Sequence, residues 1–120
     1  MQVDIEDYIE ENGGPPRPVP PRVEILREAI EITGNLRQAQ YGDVVSNMEK
    51  MAYMFSAWIK VRYGVDVPLD GEDVAKMMTL VKDVRSIASA THRDNYIDSA
   101  AYSAIAYECR VMKDKRGQSC

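Results

Sequence analysis

The chain has few of the residues that build disulfide frameworks or metal knuckles. It contains two cysteines, one histidine, one tryptophan and one phenylalanine in 120 residues. Cys109 lies inside a helical pattern and Cys120 is the last residue, so neither a disulfide framework nor a metal-knuckle spacing is present. Both cysteines fit a reducing cytosol. No apolar run approaches the roughly 20 residues that a bilayer span needs. The start, Met1-Gln2-Val3-Asp4-Ile5-Glu6-Asp7, is acidic and lacks an apolar signal-peptide segment. The net charge is −4, so no global positive field draws the chain to nucleic acid or anionic lipid. A cytoplasmic location is expected, with no membrane and no nucleic-acid partner. A hydrophobic fraction of 45% and a charged fraction of 28% place the chain among globular proteins, with the length of one domain and one core.

Proline is scarce except in one place. Five of the six prolines fall in Gly13-Gly14-Pro15-Pro16-Arg17-Pro18-Val19-Pro20-Pro21. Proline fixes φ and removes N–H donors, so this stretch predicts an extended arm, either a passive spacer or a segment that packs on a neighbouring subunit. The expected organisation is an acidic, proline-rich N-terminal arm (1–21), a helical bundle domain (22–113) and a frayed tail (114–120).

Beyond the arm, the apolar residues recur with a helical period. Val23, Leu26 and Ile30 share one stripe, and a stop is predicted at Gly34-Asn35. A second helix is predicted from about Val44 to Arg62, with Met48, Met51, Ala52, Phe55 and Ile59 in its stripe and Trp58 at the edge. Pro68 argues against a central strand after it, and Asp70-Gly71 signals a turn and a cap. A third helix over about Glu72 to Ala88 carries Val74, Met77, Met78, Val81, Val84 and Ala88. A fourth, from near Asp94 to Lys113, carries Ile97, Ala101 and Ile105, and its many alanines let neighbours approach closely. The fold class expected is all-α, a four-helix bundle.

Polar residues that fall where the period demands apolar ones point to a site. Arg85 projects between Met78 and Val81, and Glu108 between Ile97 and Ala101, so the two read either as a buried register-fixing pair or as part of an open site. Asp94, Asp98 and Tyr102 are spaced by one turn each on one side of the fourth helix. Two carboxylates one turn apart suit a hard divalent cation if others converge, and Asp73, Glu28 and Glu31 are available. The same carboxylates also suit the positive end of a helix dipole. Arg93 beside that helix start, with Lys82 and Arg85 on the preceding helix, suits an anion, while no glycine-rich phosphate loop exists. His92 reads as a ligand, an acid/base group or a loop residue. Tyr41 and Asn47 flank the second helix start, as a stacking ring and an edge-reading amide or as a packed turn.

Together these residues resemble a small helical domain family of phages and prophages whose function is unknown. The resemblance rests on Glu28-Ala29, Tyr41-Gly42 with Asn47, Ala57-Trp58, Asp73-Val74-Ala75-Lys76-Met77-Met78 with Lys82 and Arg85, and His92-Arg93-Asp94-Asn95-Tyr96-Ile97-Asp98 with Tyr102. It covers about Arg22 to Glu108. That family in turn looks like the MazG-type all-α nucleoside triphosphate pyrophosphohydrolases, which are dimers or tetramers. They hold magnesium with a Glu-x-x-Glu and a later Glu-x-x-Asp. Here Glu28-Ala29-Ile30-Glu31 has the first spacing. No Glu-x-x-Asp follows, Asp73 is succeeded by Lys76, and Asp94 and Asp98 are four apart.

The resemblance implies a homodimer or higher homo-oligomer that binds a nucleotide or nucleotide-derived small molecule. Lys82, Arg85, His92 and Arg93 would face phosphate. Tyr41, Asn47, Asn95 and Tyr102 would meet the rest of the ligand. Asp73, Asp94 and Asp98, with Glu28 and Glu31 in reserve, would carry magnesium in a catalytic version. A non-catalytic version would sequester a host nucleotide signal against defence in the host cytoplasm. The remaining reading is a structural or adaptor protein.

Overall fold

The computed structural model describes residues 18–36, 43–89 and 92–117. Among them the fold is all-helical: α1 (Pro21–Glu31) followed by a π-type turn (Ile32–Leu36), α2 (Val44–Tyr63), α3 (Gly71–Ala88) and α4 (Arg93–Gly117). No helix among these residues is long and apolar enough to cross a membrane. Local chemistry sets the ends. Pro21 opens α1, where a missing N–H costs nothing and its fixed φ suits the helix. The Asp43 carboxylate caps α2 by accepting from the Ser46 N–H at 3.0 Å. Asp70 and Asp73 cap α3 reciprocally: the Asp73 N–H donates to Asp70 Oδ1 at 3.0 Å, and the Asp70 N–H donates to Asp73 Oδ2 at 2.9 Å. Gly64 ends α2 at φ 72°, a left-handed conformation that a side chain would strain.

The connection after Gly64 returns along α2. Lys60 meets Asp66 at 3.2 Å, and the Leu69 N–H donates to the Ser56 hydroxyl at 3.0 Å. It delivers Gly71 against the first half of α2 and against α4. A Cβ there would lie 2.9 Å from Glu49 Oε1 and 3.2 Å from Cys109 Sγ, so glycine permits the close approach. α3 and α4 then pair along most of their lengths in opposite directions. Glu72 meets Arg110 at 2.9 Å near one end, and Lys82 meets Asp98 at 3.0 Å near the other. α1 lies on the N-terminal half of α4.

Two apolar clusters result, both on α4. One joins Val45, Met48 and Ala52 of α2 to Val74 and Ala75 of α3 and to Ile105, Ala106 and Cys109 of α4. The other joins Ala29 of α1 to Ile97 and Ala101. The alanines on α4 are what let neighbours sit this close. The Cys109 thiol is pushed up to about 11, first by burial and then by the Glu49 and Glu108 carboxylates, so it stays protonated and unreactive at neutral pH.

The helix limits match the sequence reading closely, but the packing differs from a bundle in which four stripes share one interior. Leu26 and Ile30 of α1, Phe55 and Trp58 of α2, and Met77, Val81 and Val84 of α3 are exposed. The period tells which residues share a stripe; it does not supply a neighbour to cover them. α4 ends one residue beyond Arg116, the partner of Glu49 at 3.3 Å, so the second half of α2 has little of α4 beside it. α4 itself continues to Gly117, past the expected end at Lys113.

Asp70 both caps α3 and receives the Lys113 ammonium at 2.6 Å. Burial alone raises its carboxyl, but the Lys113 contact and the Asp73 N–H outweigh that and hold it below 3.8. A depressed folded value means the stabilisation is present above the unfolded value and is lost as pH falls through the folded one. Asp70→Ala is expected to cost about 0.5–2 kcal/mol at neutral pH. In urea melts at a series of pH values, the gap between variant and parent should close as the carboxyl protonates.

Candidate functional site

The His92–Asp98 segment opens α4 between the last turns of α3 and the middle of α1. His92 is exposed and precedes the helix; its carbonyl accepts from the Asn95 N–H at 3.2 Å. Arg93 donates to Glu28 Oε1 at 2.8 Å, with Glu24 at 3.9 Å. The hydrogen bond to Glu28 raises the guanidinium further above its already high value. Asp94 is exposed in the first turn, where a carboxylate suits the positive end of the helix. Asn95 is buried, the one polar side chain in the core among the described residues.

The centre of the region is Lys82 and Asp98. They meet at 3.0 Å with only 13% and 17% of their side chains exposed, the most covered ion pair among the described residues. One turn beyond Asp98, Tyr102 is half-buried and packs against the α2–α3–α4 cluster. Arg85, three residues after Lys82, is exposed beside the start of α4. Asn47 is half-buried in the first turns of α2. Tyr41 lies outside the described residues.

The structure thus brings Lys82, Arg85, His92, Arg93, Asn95 and Asp98 to one end of the α3–α4 pair. It does not bring the carboxylates together. Asp73 is tied into the cap at the far end of α3, nine residues or about 14 Å of helix from Lys82. Glu28 is the counter-ion of Arg93, Asp98 that of Lys82, and Glu31 is exposed at the end of α1. Among the described residues no three of His, Cys, Asp and Glu form a group that could hold a metal ion. A hard cation needs several converging oxygens, so the residues present do not fit magnesium.

Of the two readings of Arg85 and Glu108, the buried pair does not form. Both are exposed, and Glu108 lines a cleft with Thr33, Gly34 and Val44 on the α1–α2 side. The opposed directions of α3 and α4 set Arg85 beside the start of α4 and Glu108 well along it. The packed face of α3 is also rotated from its apolar stripe: it includes Ala75 and, seven residues on, Lys82. That heptad spacing, with Asp98 preceding Ala101 and Ile105, was the signal for the pair that does form. The sequence reading also missed Arg110–Glu72 and Lys113–Asp70, which latch the other end of the seam at 2.9 and 2.6 Å.

Residues 24–110 match a domain of unknown function, DUF6378. The Gene 55 protein of Mycobacterium phage L5 is 34% identical over 92 residues, which are 77% of this chain and 56% of that protein. The Gene 55 protein of Mycobacterium phage D29 is 30% identical over 79 residues, 66% of this chain and 48% of that one. The chain spans about half the length of these curated relatives. No solved structure matches it.

A covered ion pair is costly to break from one side. Asp98→Ala is expected to destabilise by about 1–3 kcal/mol, because it leaves the covered Lys82 ammonium without its partner. Lys82→Met combined with Asp98→Leu should cost clearly less than the two single changes added together. Urea unfolding of the four proteins measures the coupling; additive losses would mean that the pair does not hold the seam.

Proposed function

The chain belongs to the DUF6378 family, and on that premise we propose that it is a phage protein that binds a nucleotide or nucleotide-derived small molecule without hydrolysing it. In this reading the fold is a MazG-like helical bundle that keeps a ligand-binding end and lacks the magnesium centre. The observation that carries it is the exposed guanidinium of Arg85, for which no carboxylate partner exists among the described residues, at the same end as His92 and the first N–H groups of α4. A phosphate set there receives a forked donor and the positive end of a 25-residue helix. Lys82 and Arg93 add positive charge that their carboxylates largely balance, which favours a ligand of modest charge.

Hydrolysis is left out because Asp98, Glu28 and Asp73 are spent on Lys82, Arg93 and the α3 cap, and no three carboxylates converge among the described residues. Held in the host cytoplasm, such a protein withdraws a nucleotide signal from circulation. The adaptor reading is favoured by a different observation: Lys82, Arg93, Arg110 and Lys113 all have carboxylate partners within the chain, so the motif also works as a set of latches.

Calorimetric titration with a panel of NTPs, dNTPs and cyclic nucleotides separates the readings. Binding in the presence of EDTA is expected, with no pyrophosphate released when magnesium is restored. Arg85→Ala should weaken binding tenfold or more, the loss of about 1.5–3 kcal/mol that a charged hydrogen bond carries. Magnesium-dependent turnover abolished by Asp98→Asn would make the protein an enzyme. Silence across the panel would leave the adaptor.

A further inference from the structure

α2 and α3 leave between them an open apolar groove of about 780 Å³, walled by Met54, Phe55, Trp58, Ile59, Leu69 and Met77. Trp58 is 60% exposed, and Leu80 and Val84 continue the apolar surface along α3. The free charges around it are of one sign. Six carboxylates lie between Val44 and Ala88, and each is engaged. Glu49 meets Arg116, Asp66 meets Lys60, Asp70 meets Lys113 and Glu72 meets Arg110. Asp73 closes the α3 cap, and Asp83 accepts from the Ser99 hydroxyl. Lys50, Arg62 and Lys76 are exposed, and none has a carboxylate partner among the described residues. Lys50 lies one turn before Met54, Arg62 one turn after Trp58 and Lys76 one turn before Leu80, so the three edge the apolar surface.

We propose that the occupant of this groove is the chain's own acidic segment, Val3 to Glu11. That segment lies outside the described residues; its sequence carries the complementary chemistry. Asp4, Glu6, Asp7, Glu10 and Glu11 all precede the first cation of the chain, Arg17. Ile5, Tyr8 and Ile9 are spaced i, i+3, i+4, the pattern by which an amphipathic helix anchors in an apolar groove. Charge selects this occupant over others. A second copy set face to face would bring Lys50, Arg62 and Lys76 against the same cations, a costly juxtaposition. An anionic membrane surface is flat, whereas this surface is concave and belongs to a chain of net charge −4. Reach is sufficient. Arg93 bonds to Glu28 with Glu24 nearby, so the start of α1 lies by the start of α4 and the end of α3. From Ser89 back to Met77 is about 18 Å of helix. Gly13 to Pro20, at polyproline spacing, would span about 25 Å. A tether this short holds the segment at an effective concentration on the order of millimolar, so modest affinity is enough to fill the groove. The inference stands apart from any ligand.

Trp58 is the sole tryptophan, so its emission and its quenching by acrylamide report this groove alone. In the full chain the emission is expected to be blue-shifted and shielded to the same degree at every protein concentration. Ile5→Asp combined with Ile9→Asp removes the anchors without touching α1 to α4. It should shift the emission to the red and raise the quenching, while thermal unfolding stays cooperative. Converting the five carboxylates to amides (Asp4→Asn, Glu6→Gln, Asp7→Asn, Glu10→Gln and Glu11→Gln) should shift it in the same direction, and so should Arg62→Glu. Emission that the anchor pair leaves unchanged, whether exposed or shielded, overturns the proposal, because the groove is then empty or filled by another group. A blue shift that grows with concentration overturns it in favour of a second copy. Indifference to both the amides and Arg62→Glu overturns it too, because charge is what selects this segment.

Discussion

Lys82 and Asp98 face one another across α3 and α4 at a point where water is mostly excluded. An ammonium or a carboxylate left alone there costs about 1–3 kcal/mol, so any sliding of one helix along the other that parts them is penalised. Once this register is set, the rest of the seam falls into place. Ser99 donates to Asp83, Arg110 reaches Glu72 and Lys113 reaches Asp70, while Gly71 settles against Cys109. The start of α4 is then held beside α1, where Arg93 takes Glu28. The ion pair specifies a geometry; the apolar contacts of Val74, Ala75, Ile105 and Ala106 provide the driving force.

The same economy of charge shapes what the site is able to do. A metal-dependent hydrolase keeps several carboxylates uncommitted around one point. Here they are distributed: Asp98 and Glu28 sit beside cations, Asp73 and Asp94 at helix starts, and Glu31 is exposed at the end of α1. What remains open at the end of the α3–α4 pair is mixed: Arg85, His92 and, in the first turn of α4, Asp94. The DUF6378 family, with relatives among mycobacteriophage proteins, is therefore represented here by a chain whose most specific motif is largely structural in its contacts.

Much of the fold was legible because its instructions are local. Asp43, Asp70 with Asp73, and Gly64 mark helix ends through bonds that span three or four residues, and so the limits of α2 and α3 could be read within a residue or two. The core was legible only in part. Val74, Ile97, Ala101 and Ile105 are buried as their period predicts, whereas Val81, Val84 and Phe55 carry the same signal and are open. An apolar stripe declares that something covers it. It does not say whether that is another helix of this chain or a helix of a second one.

The charged residues show the same division. Composition and spacing by themselves determined that this is an all-helical chain without a disulfide framework, with polar residues gathered at the opening of its last helix. Those properties depend on side-chain chemistry and on a period of 3.6, both of which are present in the linear sequence. Only the tertiary structure decided that Lys82, and not Arg85, meets a carboxylate of α4, and that Asp73 and Asp98 are far apart. The helical period gives each side chain an angle about its own axis, but the axial register and direction of two helices come from packing between residues distant in the chain. The His92–Asp98 segment could thus be recognised in advance as special, while its contacts could not.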